Sequence, residues 1–263
     1  FQINIAPFDV RQSGFSGGSI NAITRSGSNN WEGSAYAFVR NESLVGKTPP
    51  ALVGEDEERE RVADFSALTY GARIGGPIIE DKLFFFLNYE RLEDETPQPF
   101  NFSNYNGGSS LADFDNLRNF LINNYGYDPG IFDNNTRTLE SNRLTAKIDW
   151  NINQDHKLSF RYGLTTADNL EARNSGNFGI GFINGSESFE SSTSSYALEL
   201  NSRFGNKYSN NLVLGYTRVR DDRDPLGDPF PTVDIQDQGG FISFGAEPFS
   251  TANLLAQDVF TIT

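Results

Sequence analysis

Segments of alternating apolar and polar residues run through most of this chain. Within residues 144–150 an apolar side chain stands at every second position, and residues 158–165 and 196–201 repeat the pattern. Successive side chains of a β-strand point to opposite faces, so each segment has one apolar face and one polar face. The alternation predicts a sheet that is apolar on one side only, either the inside of a soluble sandwich or the outside of a membrane-spanning barrel.

The connections between the segments distinguish these two folds. Eight strands are predicted, and their connections are long and short in turn. The short ones are PIIEDK, NINQDH and FGNKYS, and the long ones cover about residues 42–66, 96–137, 168–190 and 221–250. Outer-membrane barrels have short periplasmic turns and longer extracellular loops, whereas a sandwich has no reason to lengthen every second connection. The strands also reach about ten residues, the length that a tilted strand needs to cross a bilayer.

Composition excludes several other classes of protein. Cysteine is absent and His156 is the only histidine, which excludes disulfide frameworks, thiolate zinc sites and cysteine nucleophiles. The net charge of -14 argues against a nucleic-acid partner, because phosphates are bound through lysine and arginine. No run of about eighteen apolar residues exists, which excludes a transmembrane helix. Methionine is also absent, so the chain is interpreted as a piece of a longer polypeptide.

The longest connection contains one predicted helix. Leucine and phenylalanine recur at helical spacing within residues 111–121, with Ser110 as a candidate N-cap, Asp113 in the first turn and Gly126 as a candidate stop. This helix is either part of a lid or receptor surface, or a structural element that closes a long loop.

No catalytic constellation is recognisable. His156 has no serine or cysteine nucleophile near it and is interpreted as a solvated turn residue. The densest acidic cluster, Asp221, Asp222, Asp224 and Asp228, lacks the spacing of an EF-hand loop and is interpreted as a solvated acidic loop. We therefore expect no enzymatic activity, no cofactor and no dedicated metal site.

The opening of the chain carries a more specific signal. SGGSINAITRSGSN, at residues 16–29, resembles the end of the plug domain of TonB-dependent outer-membrane receptors, where the plug leads into the first barrel strand. WEGSAYAFVRN and ARIGGPIIEDKLFFFLNYE resemble the first three strands of the Oar-like branch of that family, whose members bear a carboxypeptidase regulatory domain. DWNINQDHKLSFRYG and NSRFGNKYSNNLVLGYTRVRD resemble its later strand units. The resemblance fails only in the long loops, so the identity of the solute is not implied by it.

The resemblance implies an all-β fold: an antiparallel transmembrane β-barrel of 22 strands, occluded by a plug, of which this chain would contain about eight strands. Residues 1–30 would be the C-terminal part of the plug domain, and residues 31–263 the N-terminal barrel strands with long extracellular loops. A complete eight-stranded barrel is the alternative, but its lumen would be filled by side chains and would have no place for a plug-like leader.

The resemblance also implies a function. The protein would lie in the outer membrane of a Gram-negative cell, bind a solute at its extracellular loops and import it with energy from the TonB system. The energy-coupling protein would act on a region that is absent from this chain. Outer-membrane lipids would surround the barrel, and a surface lipoprotein is a further candidate partner.

If the apolar faces point to lipid, the charged residues between them point into the lumen. There they would contact the plug, water or a passing solute, and we expect the two plug arginines to pair with inward acidic residues such as Glu199. The candidates are Arg11, Arg25, Arg143, Lys147, Asp149, Arg161, Glu199, Asn201 and Arg203.

Two other functions fit the pattern of strands. The first is a non-transporting surface barrel for adhesion or secretion, and a TonB box and a complete plug upstream of residue 1 would favour transport over it. A soluble carbohydrate-binding β-sandwich would be extracted without detergent, and it would bury Ile148 and Phe160 in a dry centre while leaving Lys147 and Arg161 in solvent.

Overall fold

The computed structural model of the chain describes residues 2–5, 18–21, 23–49, 58–250 and 253–263. Within these residues, no helix is both long enough and apolar enough to cross a membrane. One α-helix, α1 (Leu111–Tyr125), lies in the longest connection. The strands are β1 (Gln2–Ile5), β2 (Gly18–Asn21), β3 (Glu32–Asn41), β4 (Ser66–Ile79), β5 (Leu83–Gln98), β6 (Asn135–Asn151), β7 (His156–Glu171), β8 (Gly179–Gly181), β9 (Glu187–Phe204), β10 (Tyr208–Pro225), β11 (Val233–Asp237), β12 (Gly240–Phe244) and β13 (Asn253–Ile262).

Eight of these strands form one sheet in the order β13-β10-β9-β7-β6-β5-β4-β3, and all neighbouring pairs are antiparallel. The sheet is open, with β3 and β13 at its edges in the described part of the chain. Short turns at residues 80–82, 152–155 and 205–207 alternate with the long connections. The predicted antiparallel β architecture is therefore confirmed, whereas the domain boundary at residue 30 stays a prediction.

Several strands are longer than the alternation of side chains predicted. β5 continues to Gln98 and β10 to Pro225, although their last residues are polar, because the backbone ladder does not depend on apolar side chains. The acidic residues from Asp221 to Asp224 consequently lie in a strand rather than in a loop. His156 is also not a turn residue: it begins β7, and its Nδ1 lies 2.9 Å from the hydroxyl of Ser202.

One face of the sheet carries an apolar belt, because the register aligns apolar residues of neighbouring strands. One row of the belt contains Phe85, Ile148, Phe160, Leu198, Leu214 and Ile262. The next row contains Leu87, Ala146, Tyr162, Tyr196, Tyr216 and Phe260. Four rings of that second row follow one another with centroids 4.5–5.8 Å apart. Rings in such a girdle are typical of the interface between lipid and water.

The same face becomes acidic toward the long connections. Five carboxylates stand directly opposite one another on neighbouring strands: Glu93, Glu140, Asp168, Glu190 and Asp222. Charged side chains are costly in hydrocarbon, so this row marks the side of the apolar belt where the lipid layer ends.

The sheet has almost no dry core. Ile148 and Phe160 are 43% and 39% exposed, and Phe86 is the one buried apolar residue of the sheet among the described residues. The side chain of Lys147, on the opposite polar face, is only 15% exposed. A soluble sandwich requires the reverse, with the apolar belt buried and the lysine in solvent.

The dry core of the molecule lies instead in a loop cluster formed by residues 99–134, 172–186 and 226–250. β8, β11 and β12 form a small sheet within it, and β12 pairs in parallel with β8. The side chains buried there come from all three connections: Phe114, Leu121, Tyr127, Ile180, Phe182, Ile242 and Phe244. Three of the long connections thus fold together as one unit.

The helix prediction is confirmed. The carboxylate of Asp113 accepts hydrogen bonds from the N–H and the hydroxyl of Ser110, over 2.8 and 2.7 Å, and Gly126 ends the helix with a φ of 67°. Phe114 and Leu121 face the core, whereas the first residue of the predicted stripe, Leu111, is exposed.

Candidate functional site

A leading segment (residues 23–30), which precedes β3, crosses the polar face of the sheet. Lys147 Nζ on β6 donates a hydrogen bond of 2.7 Å to Ser26 Oγ, and Arg161 on β7 donates one of 3.3 Å to Thr24 Oγ1. Lys147 and Arg161 stand directly opposite each other in the register of these strands. Two predicted site residues are therefore brought together against the leading segment.

The other end of the leading segment is fixed to a short turn. Asn29 donates to the carboxylate of Asp81 over 2.6 Å, and the Asp81 N–H donates to Asn29 Oδ1 over 2.8 Å. Between these two anchors, Gly27 passes close to β4 and β5. A Cβ there would overlap the carbonyl oxygen of Phe85 and lie 2.8 Å from that of Gly76. Glycine is required for this approach of backbone to backbone.

Replacing Gly27 with alanine is expected to lift the leading segment from the sheet. Overpacking costs about 1–3 kcal/mol, which raises the open population of the segment at least about fivefold. The rate of trypsin cleavage after Arg25 in the folded full-length protein measures that population. Gly46→Ala is the control, because a Cβ at Gly46 meets no atom within 4 Å. Equal rates of cleavage in the two variants would contradict the close approach of Gly27 to the backbone of β4 and β5.

Arg143 makes a second polar contact on the same face. Its guanidinium lies 3.0 Å from one oxygen of Glu90, and the Tyr36 hydroxyl donates to the other oxygen over 2.5 Å. The sequence reasoning missed Glu90 and Tyr36. The signal was present for Glu90, because it alternates with the apolar residues Leu87 and Tyr89 along β5.

Lys147 and Asp149 form an ion pair along β6, with 3.1 Å between Nζ and Oδ1. The second oxygen of Asp149 is buried and has no hydrogen-bond partner among the described residues. Lys147 therefore binds both a carboxylate of its own strand and the leading segment.

Glu199, Asn201 and Arg203 lie on β9, apart from the contacts of the leading segment. The Glu199 carboxylate accepts hydrogen bonds from Asn201 and Asn211, over 2.9 and 2.8 Å. Arg203 lies 2.9 Å from the carboxylate of Asp155, in the turn between β6 and β7. These residues brace the ends of the strands next to the short turns.

Arg25 pairs with an acidic residue of the polar face, as predicted, but this residue is Glu32 and not Glu199. Arg25 lies 3.8 Å from the carboxylate of Glu32 at the start of β3, and both side chains are exposed. Together with Glu32, Arg73 and Gly75, Arg25 lines a small pocket between the leading segment and the start of β3. Arg11 lies outside the described residues, so its predicted role stays a prediction.

The loop cluster is held together by polar contacts as well as by its core. The carboxylate of Asp237, at the end of β11, accepts hydrogen bonds of 3.0 Å from the N–H groups of Gly108 and Ser109 and from the Tyr105 hydroxyl. Burial alone would raise the pKa of Asp237, but these donors lower that pKa below its ordinary value. Burial and the Asp237 carboxylate raise the pKa of Tyr105 to about 12.

The sign of this pKa shift makes the contact sensitive to acid. A carboxyl group whose pKa is lower in the folded than in the unfolded protein stabilises the fold at a pH above the unfolded-state pKa. This contribution to stability is lost as the pH falls through the folded-state pKa. Asp237 therefore joins two of the three connections at neutral pH.

No group of three or more acidic or histidine side chains within the described residues is placed to hold a metal ion. The acidic cluster predicted around Asp221 is divided, because alternate residues of β10 face opposite sides. Asp221 itself accepts a hydrogen bond of 2.6 Å from the Ser191 hydroxyl.

Comparison with known proteins gives two matches. The chain matches the family of outer membrane beta barrel domains over residues 23–129 and 115–260. It is also similar to the TonB-dependent transporter Oar of Myxococcus xanthus, with 28% identity over 164 residues. That alignment covers 55% of this chain and 13% of the relative, so the chain spans only a small part of the relative's length. No solved structure gives a significant match.

Proposed function

Since this chain belongs to the outer membrane beta barrel domain family, we propose that it is part of a TonB-dependent receptor that binds and imports a solute. The protein is a multi-pass β-barrel of the outer membrane. Lipid covers the apolar belt, and the polar face lines the lumen. The barrel carries the solute inward without catalysing a reaction.

The contact between the leading segment and the polar face carries this proposal. A barrel that only anchors its loops needs no ordered chain inside its lumen. Here Lys147 and Arg161 bind Ser26 and Thr24, so the chain approaches β3 along the polar face, which lines the lumen in the proposed barrel. That is the path required of a plug that lies inside the barrel and continues into β3.

The loop cluster supplies the receptor surface of the proposed transporter. Its buried core holds α1 and the small sheet in one arrangement before any solute arrives, which reduces the entropy lost on binding. Aromatic side chains remain exposed on it, among them Phe120, Phe178 and Phe249. Such rings contribute apolar contact area to a bound solute. A surface lipoprotein is a further candidate partner for this surface.

Uptake provides the test. Cells that express the full-length protein are compared, by mass spectrometry of a defined medium, with cells lacking it and with cells lacking the energy-coupling protein. We expect at least one compound to be depleted by the first cells only. Depletion that persists without the energy-coupling protein would contradict energised transport.

A non-transporting surface barrel is the second candidate. The folded loop cluster favours this candidate, because its exposed aromatic side chains could contact another surface instead of a small solute. In that case no compound is depleted from the medium, while Phe178→Ala and Phe249→Ala reduce attachment of the cells to a surface.

A further inference from the structure

The polar face of the sheet has a gap at Gly163 on β7. In the register of β6, β7 and β9, Gly163 lies at the centre of a three-by-three grid of residues that share this face. Because the central residue has no side chain, its neighbours surround a cavity of about 330 Å³. Sites for small ligands begin at roughly this volume.

The charge of this grid is opposite to that of the protein. The chain has a net charge of -14, yet the eight positions around Gly163 in this grid hold three cations, Arg143, Lys147 and Arg161, and no carboxylate. Of these cations, Arg143 and Arg161 line the cavity itself, together with one carboxylate, that of Glu90 on β5. Lys147 and Arg161 stand directly opposite each other, and like charges in such a pair destabilise a sheet. The ion pair of Lys147 with Asp149 reduces this repulsion, and an anion beside Arg161 would reduce it further.

The cations are not equally available. Arg143 is paired with Glu90 at 3.0 Å, and Lys147 with Asp149 at 3.1 Å. Arg161 forms no ion pair with any of the described residues, and its hydrogen bond to Thr24 is long, at 3.3 Å. The hydroxyl groups of Thr145, Thr193 and Ser195 also line the cavity, as donors without charge.

We propose that this cavity binds the oxyanion group of a solute, a carboxylate or a phosphate, with Arg161 as its principal ligand. A guanidinium group donates two parallel hydrogen bonds to such a group, and the neighbouring hydroxyls supply further donors. This proposal rests on the proposed function, because it assigns the bound oxyanion to the transported solute. It adds that this solute is anionic. The site lies on the barrel wall next to Thr24 of the leading segment, at a distance from the loop cluster.

Binding is measured on the full-length protein in lipid nanodiscs by isothermal titration calorimetry. D-glucuronate and inorganic phosphate are the anionic probes, and D-glucose is the neutral counterpart of the first. We expect saturable binding of at least one anion and none of D-glucose, and the two anions distinguish a carboxylate from a phosphate site. The calorimetry uses no energy-coupling protein. An absence of anion binding therefore contradicts this site, whereas an absence of uptake contradicts the proposed transport function.

Two variants locate the binding site. Arg161→Gln is expected to weaken anion binding about tenfold to a hundredfold, through loss of charge-assisted hydrogen bonds. Gly163→Val keeps every charge but fills the cavity, because even a Cβ at this position lies 2.7 Å from the Ser195 hydroxyl, and it is expected to weaken binding at least tenfold. Arg137→Gln is the matched control on the same face of β6, and it should leave binding unchanged.

Three results would overturn the proposal. They are the absence of saturable binding of both anions, equal binding of D-glucose, and unchanged anion affinity in both Arg161→Gln and Gly163→Val. Heat-modifiable migration of each variant on a gel shows that its barrel is folded, so that a loss of binding is attributed to the site.

Discussion

Replacing Phe160 with arginine is expected to destabilise the barrel by about 2–4 kcal/mol. Phe160 lies in the apolar belt on β7, directly between Ile148 and Leu198 of the neighbouring strands. An arginine there would place its charge in hydrocarbon, where no partner lies beside it. The midpoint of urea unfolding in lipid vesicles, followed by heat-modifiable migration on a gel, measures the loss.

Ser159→Arg is the matched control, one residue away on the same strand. Its side chain belongs to the polar face, between Asp149 and Glu199. The carboxylates of these two neighbours attract a cation at position 159, so we expect little or no loss of stability. If Ser159→Arg were the more destabilising of the two, the assignment of the two faces of the sheet would be wrong.

Phe114→Ala is expected to unfold the loop cluster locally while the sheet stays intact. Phe114 is 1% exposed, and its ring centroid lies 5.0 Å from that of Phe132, 5.4 Å from Phe102 and 6.3 Å from Phe182. Removing a phenylalanine from such a core costs about 3–5 kcal/mol. Hydrogen exchange followed by mass spectrometry should show faster exchange in residues 99–134, 172–186 and 226–250, and unchanged exchange in β6, β7 and β9.

Phe120→Ala on the same helix provides the comparison. Phe120 is 52% exposed, and exposed substitutions usually change stability by less than about 0.5 kcal/mol. Exchange in the loop cluster should therefore remain close to that of the unaltered protein. Equal acceleration in both variants would mean that the cluster is not organised around Phe114, and acceleration in β6 and β7 would mean that sheet and cluster unfold together.

Most of the sheet was predictable from local sequence. β3 ends at Asn41, where the sequence predicts the first long connection to begin, and the apolar and polar faces around Ile148 and Lys147 are assigned correctly. The family resemblance deduced from the strand and turn motifs is confirmed by the match over most of the chain. These features were accessible because strand periodicity and turn composition are properties of a few consecutive residues. The ends of β5 and β10 were missed, since their polar residues carry no alternation of apolar side chains.

The candidate site was predicted only in part. Lys147 and Arg161 could be placed on the polar face from periodicity, but their contacts with Ser26 and Thr24 join residues more than a hundred positions apart. The direction of the Arg25 side chain depends on how the leading segment crosses the sheet. Periodicity could also have placed Glu90 on the polar face, but its pairing with Arg143 arises only through the register of β5 and β6.

The amino-acid sequence by itself determined where the eight strands of the large sheet lie, apart from some of their ends, which face of each is apolar, and which connections are short. Only the tertiary structure decided that three separate connections share one core and that Gly163 leaves a gap among cations. The reason is physical: side-chain alternation acts within a strand, whereas a core or a cavity arises only after strands distant in sequence have paired in a particular register.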